Sequence, residues 1–453
     1  NNIKNFDKNV INENNKSVHL MIKNDNYRYF SHGYEIKEQL KENLNYFETG
    51  RNNFTKYLYP RIIAFYYLVF DYDLYEDSNK DVVKIGIHKN FLIIQIFFYY
   101  LSILFLFFQL KHKIDDKYLI FILIFLCIEP TIFQYHGSFW SESIFFSLQI
   151  IIMGFVLGNN SSYLRFFLLG IILSLLALQR TNGFYYIIPI IIYFYNEKDI
   201  NFLKKILALL TGFSLIILTV GYENYIKSGK FFIIPIETKS VLHAYVVPNI
   251  LSNEELKKEE IRFFEKAKSE KIIFDKKKLE NIHYSRYSFI FCENFDDKKE
   301  NLNYLKICKY FDERAKSIIL ENPIKSFKYV FNQSLSFSLL NPFHIYSDNR
   351  FLSGSEYYNS KLHKKILPYR VIYTILIYLI FIVGIFELYR NKENKILIYT
   401  LISSIYFFII LSWHGNNRYF TPILIYCSIF FGYGIIGTKN LFAKYNIKKL
   451  YNK

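Results

Sequence analysis

The chain has 453 residues, of which 52 % are hydrophobic and 21 % charged, with 41 Tyr and 47 Phe but only 9 Pro and 2 Trp. The apolar residues gather in nearly uncharged runs of roughly 18–22, the length that crosses a bilayer of about 30 Å. This excludes a soluble globular enzyme, a disordered chain and a disulfide-dense secreted module, and the net charge of +17 is spread through a Lys- and Asn-rich sequence that calls for no nucleic-acid partner.

Residues 1–88 read as an outer-face first loop with interface helices. Its polar start, Asn1 to Lys16, is expected to be loosely ordered. A chain that opens on the outer side is expected to follow an upstream span, so the sequence reads as a fragment lacking that span. Asp25 lies in Lys23-Asn-Asp-Asn-Tyr-Arg-Tyr29, just before the helical stretch from Tyr34. On its own it is a helix-start acid in a soluble loop. Residues 58–70 are apolar but contain Arg61 and are too short to cross, so they predict a helix at the interface or packed on the bundle.

Spans are predicted at 90–110, 118–135, 139–157, 163–179, 184–195 and 206–225, within a transmembrane bundle over 89–226. Three more, at 369–389, 396–413 and 420–437, fall within a second bundle over 368–438. Between the bundles lies an outer-face region, 227–367, of Lys-rich helical stretches and aromatics. Its segment Phe311 to Pro323 has helical periodicity and stops at Asn322-Pro323, as helices do before proline. The run that follows, Ser326-Phe-Lys-Tyr-Val-Phe, reads as an amphipathic helix on the bilayer surface. The four cysteines support no disulfide framework. Cys292 and Cys308 nevertheless share this outer region, where oxidising conditions permit a bond. Residues 439–453 form a cytoplasmic basic tail. The whole predicts an all-α polytopic membrane protein: a transmembrane helix bundle with a first outer loop and a larger, late, α-rich outer-face region.

Orientation follows from Lys and Arg in the short connections. One set of span ends carries fifteen: Lys111, Lys113, Lys117, Arg165, Lys198, Lys204, Lys205, Arg390, Lys392, Lys395, Lys439, Lys444, Lys448, Lys449 and Lys453. The other short loops carry two, Arg180 and Arg418. The first set is therefore cytoplasmic, and both long polar regions face outward.

The two outer arginines flank apolar helices on the side that topology keeps poor in cations, which makes them functional candidates. The plainer alternative is a snorkelling or solvated arginine. A guanidinium is suited to gripping phosphate. Glu142, in Trp140-Ser-Glu-Ser143, opens a span on the same side, where a helix dipole alone favours an acid. Glu129 precedes Pro130 nearby, either as a partner for an arginine or as an interfacial acid. His136 and His414 are also outside, and two histidines are weak evidence for a metal, so no metal ligands are assigned. Divalent-metal dependence stays open, and no cofactor is required. A sugar-transfer site at a membrane surface needs a carboxylate base for the acceptor and cations for a leaving lipid phosphate. This chain offers both on one side.

The layout resembles the GT-C class of integral membrane glycosyltransferases, in particular the bacterial relatives of protein O-mannosyltransferases and the lipid A aminoarabinose transferases. The likeness covers about residues 20–440 and rests on short motifs standing in one order: Asp25 with Tyr29, Tyr59-Pro60, Ser141-Glu142-Ser143, Arg180-Thr181-Asn182-Gly183 and Arg418-Tyr419-Phe420-Thr421-Pro422. The segment Ala315 to Ile324 is similar to one these enzymes carry before their later spans. The resemblance implies a polyprenyl-phosphate-linked sugar donor and inverting transfer on the periplasmic side of a bacterial inner membrane, to a lipid, glycan or protein acceptor. It implies Asp25 as catalytic base, with Arg180, Arg418 and Tyr419 on the donor phosphate. Tyr29, Tyr59, His136, Glu142, Asn182 and His414 would line the pocket. Glu35 and Glu38 compete with Asp25, which stands between Asn24 and Asn26 where many relatives have an Asp-Glu pair. Two other classes stay open: an O-antigen polymerase or ligase, which also has many spans and a large late outer loop with arginines, and a non-enzymatic flippase of lipid-linked saccharides, which would be expected to show repeats and Gly/Pro-broken helices.

Overall fold

The computed structural model describes residues 25–41, 57–72, 85–136, 140–158, 162–196, 201–229, 231–234, 241–270, 279, 283–284, 287–293, 301–340, 361–412 and 420–451. Every regular element among them is helical. The first two, α1 (Asp25–Lys41) and α2 (Leu58–Val69), pack as a pair. Six follow: α3 (Ile85–Leu110), α4 (Asp116–Ile128), α5 (Pro130–Phe133), α6 (Glu142–Leu157), α7 (Tyr163–Gln179) and, after a 3₁₀ turn over Thr181–Tyr186, α8 (Ile187–Asn196). Then come α9 (Phe202–Ser228), α10 (Val247–Ile250), α11 (Asn253–Ser269), α12 (Tyr287–Glu293), α13 (Asn301–Glu321) and α14 (Pro323–Phe337). The last three are α15 (Lys361–Arg390), α16 (Asn394–Leu411) and α17 (Thr421–Tyr451).

Of the nine predicted runs, five lie in helices long and apolar enough to cross a membrane: Asn90–Leu110, Phe202–Ile226, Leu367–Arg390, Asn394–Leu411 and Thr421–Ala443. The other four are shorter helices, two of them for identifiable reasons. The run 118–135 breaks at Glu129-Pro130, because proline lacks an N–H and disfavours helical backbone before it. Glu129 is accordingly extended, with ψ 117°, and its carboxylate accepts the Ile132 N–H at 2.7 Å to restart the chain as α5. The other Glu129 oxygen accepts the Tyr373 hydroxyl at 2.6 Å, so among the described residues its partners are a tyrosine and a helix end, not an arginine. The run 184–195 starts as the 3₁₀ turn and continues as a helix of 10 residues. At the far end, α17 runs on to Tyr451, so Lys439, Lys444, Lys448 and Lys449 prolong the last helix.

One core joins both bundles, from Tyr59 and Phe91 through Phe145 and Leu173 to Phe407 and Tyr426. The helix surfaces around it keep large apolar side chains outward, among them Ile93, Phe97, Leu207, Leu218, Ile372 and Leu376. Water does not tolerate an apolar belt of that extent, whereas acyl chains cover it. The crossings are close because they carry glycine. A Cβ on Gly170 of α7 would stand 2.1 Å from the Leu209 carbonyl oxygen, and one on Gly212 of α9 2.1 Å from that of Phe167. The α15–α17 crossing repeats this reciprocity: Gly384 faces the Phe430 oxygen at 1.9 Å and Gly434 that of Ile380 at 2.0 Å.

The region between the bundles has its own core, built on Val246, Phe263, Tyr284, Phe311 and Ile318. Arg314 of α13 grips Glu259 of α11 through two nitrogens, at 2.6 and 2.8 Å. A disulfide joins Cys292 to Cys308, Cα to Cα 5.7 Å, tying α12 to α13.

Candidate functional site

The motif Ser141-Glu142-Ser143 opens α6, and each of its residues has a separate partner. The Ser141 carbonyl accepts the Gln179 side-chain amide at 2.8 Å. Glu142 forms an ion pair with Arg180, and both are buried, at 0 % and 5 % exposure. Ser143 Oγ lies 2.8 Å from His136 Nδ1. Three consecutive residues therefore fasten the start of α6 to the end of α7 and to the loop after α5.

The Arg-Thr-Asn-Gly motif explains why Arg180 reaches that position. At Arg180 the backbone turns extended, φ −151°, which ends α7 and begins the 3₁₀ turn. Gly183 then lies against α7, where a Cβ would sit 2.7 Å from the Leu176 carbonyl oxygen. The chain can fold this tightly onto the helix only with glycine there. The guanidinium is thereby aimed at the first residue of α6, 5.8 Å from the Phe145 ring. Asn182 contributes its backbone: its carbonyl accepts the Tyr406 hydroxyl at 2.7 Å.

Helix α2 brings Tyr59 to the same place. Pro60 fits because the first turn of a helix has no N–H partner to lose. The buried Tyr59 donates to Gln95 Oε1 at 2.9 Å and meets the Tyr29 ring edge-to-face at 5.2 Å. Burial raises the Tyr59 phenol well above its ordinary value, and the nearby Glu142 carboxylate adds to the shift. Helix α2 is anchored by the charge that its sequence made awkward. Arg61 lies over the Tyr57 ring and pairs with Glu223 of α9 at 2.7 Å, and Tyr57 also donates to Glu223.

His136 packs against Tyr99, ring centres 3.8 Å apart and planes tilted by 38°. Burial pushes it from 6.5 down to about 3, so it is neutral in the fold. The unfolded chain takes up a proton below about 6.5 that the native chain refuses until about 3. Its contribution to stability is therefore complete above pH 6.5 and declines as pH falls between those values, by up to about 1.4 kcal/mol per pH unit. His136→Gln removes this titration. The expected result is a shallower fall of melting temperature from pH 6.5 to 4 than in the parent, measured in one detergent, and identical slopes would contradict it.

The structure thus brings together Tyr29, Tyr59, His136, Glu142 and Arg180, with Asn182 in the adjoining turn. Asp25 opens α1, one turn before Tyr29, but its side chain lies outside the described residues, as do His414, Arg418 and Tyr419. The described chain resumes at Phe420, and the Pro422 carbonyl accepts Gln149 of α6 at 3.3 Å. Of the 418–422 motif, the described end at Pro422 therefore lies against α6. Reading from sequence missed Gln95, Gln179 and Glu223, whose only signal is polarity within apolar surroundings. Among the described residues, His136 Nε2, Gln179 Oε1 and Thr421 Oγ1 are buried without hydrogen-bond partners. Such atoms in native structures call for water or a ligand, since leaving one unmade costs about 1–3 kcal/mol. No three His, Cys, Asp or Glu side chains among the described residues are arranged to hold a metal.

Fold and surface together define an all-α, multi-pass membrane protein. Among known protein families, curated proteins and solved structures, none matches the chain.

Proposed function

We propose that the chain is a membrane glycosyltransferase that moves a sugar from a polyprenyl-phosphate donor to a lipid, glycan or protein acceptor on the outer face of the membrane. The observation that carries this reading is the buried Arg180–Glu142 pair, set beside Tyr59 and next to the His136–Ser143 contact. A guanidinium held this far from water needs a permanent anion. Glu142 supplies one when no donor is present and aims the cation when one is. The unpartnered polar atoms of His136, Gln179 and Thr421 suit a polar headgroup at the same helix ends. The disulfide supports an oxidising compartment for the region between the bundles.

In this mechanism the acceptor hydroxyl loses its proton to Asp25, and its oxygen attacks the anomeric carbon from the face opposite the phosphate. The bond between that carbon and the phosphate oxygen breaks with inversion. Polyprenyl phosphate leaves with the electron pair, its charge taken up by Arg180 and Arg418 beside Tyr419. Asp25→Asn tests the base. Cells carrying it are expected to lose the transferred glycan while the lipid-linked donor stays exposed outside. Unchanged glycan at normal expression would remove Asp25 from the reaction.

A further inference from the structure

Helix α14 carries a stripe that the described residues leave uncovered. Ile324, Phe327 and Phe331, at i, i+3 and i+7, are 82 %, 72 % and 54 % exposed, and Leu320 at the end of α13 is 79 % exposed. The opposite face is occupied. Ser326 is buried, donating to the Ile319 and Asn322 carbonyls, and Tyr329 donates to the Tyr245 carbonyl at 3.1 Å. Lys325 and Lys328 lie along one side of the stripe, and both are exposed. This is the pattern of a helix lying in a membrane interface, with apolar side chains down and ammonium groups at the phosphates.

Hydrogen bonds to α15 set the depth. Tyr378 donates to the Ser338 carbonyl at 2.5 Å, the Leu340 N–H donates to Thr374 Oγ1 at 3.1 Å, and Arg370 donates to the Leu340 carbonyl at 3.2 Å. The apolar segment of α15 begins at Leu367. At about 1.5 Å per residue, Thr374 and Tyr378 stand about 10 and 16 Å along it. The chain leaving α14 is thus fixed below the level where that segment begins. The same turns of α15 keep Ile372, Ile375, Leu376 and Leu379 exposed, so the stripe approaches a surface that already belongs to lipid.

We propose that α14 is immersed in the leaflet on the side of the 227–367 region, with Ile324, Phe327 and Phe331 in contact with lipid and Lys325 and Lys328 at anionic headgroups. The region between the bundles is then held to the bilayer directly as well as through its chain connections. This placement is independent of any reaction the protein catalyses.

Site-directed spin labelling of the full chain in phosphatidylcholine–phosphatidylglycerol nanodiscs, one chain per disc, tests it. Labels at Phe327→Cys, Ile375→Cys and Ile261→Cys are compared in a Cys127→Ser, Cys427→Ser background that keeps the disulfide. The Phe327 label is expected to collide with oxygen severalfold more readily than with a water-soluble nickel chelate, like the Ile375 label and opposite to the Ile261 label on α11. Nickel access equal to that at Ile261 would place the stripe in water and overturn the proposal. Low access to both reagents would mean a protein cover, and would overturn it too. Phe327→Trp with native cysteines gives a second reading: its added fluorescence is expected to be quenched by lipids brominated near the headgroup, and no quenching would count against immersion.

Discussion

Glu142→Ala is expected to destabilise the protein by about 3–5 kcal/mol, because it leaves a buried guanidinium without its anion. Arg180 is 5 % exposed and ends a helix whose next turn is fixed by Gly183, so it cannot swing out to water without undoing that turn. Arg180→Ala strands a carboxylate at 0 % exposure and is expected to cost a similar amount. The double variant removes both charges, and its cost should fall well short of the sum of the two. Thermal unfolding of all four proteins in one detergent closes the cycle. Single losses below about 1 kcal/mol that simply add would mean that the pair behaves like a solvated surface bridge. Activity separates differently from stability. Glu142→Gln keeps the shape and a hydrogen bond, so it should fold while holding the arginine less firmly. The sugar-transfer reading predicts lower transfer from this folded variant.

Gly384→Val is expected to abolish the packing of α15 on α17. A single Cβ would already stand 1.9 Å from the Phe430 carbonyl oxygen, and backbone cannot yield as a side chain can. Overpacking a core costs about 1–3 kcal/mol where side chains adjust. Here two helices must separate, so the expected loss exceeds that range and shows as failure to recover monodisperse protein. Small residues matter in membranes for this reason: helix association there depends on close van der Waals contact. Gly229→Ala is the comparison. Gly229 has φ +70° with nothing within 4 Å of a built Cβ, so only the left-handed backbone penalty of about 1–2 kcal/mol applies. Equal recovery of Gly384→Val and parent protein would contradict the crossing as described.

The long spans are legible in the sequence because a lipid-facing helix needs an unbroken apolar run, as in 90–110 and 369–389. The break inside 118–135 is also written there, in Glu129-Pro130, but a count of apolar residues passes over it. The candidate site is legible only as a set of separate residues. Glu142 alone looks like an acid favoured by a helix dipole, and Arg180 alone like a snorkelling cation; packing α6 against α7 makes them partners. Glu223 carries no comparable signal, since its arginine lies 162 residues earlier in the chain. Gly384 and Gly434 read as unremarkable residues in apolar helices until the reciprocal crossing gives each a backbone oxygen to avoid.

Donor use tests the central claim most directly. The purified chain, reconstituted with a membrane extract, is offered radiolabelled polyprenyl-phosphate sugars. The account predicts that label leaves the lipid carrier for a product, and that Arg418→Ala abolishes this transfer while the protein remains folded. No transfer from any donor by demonstrably folded protein would contradict it.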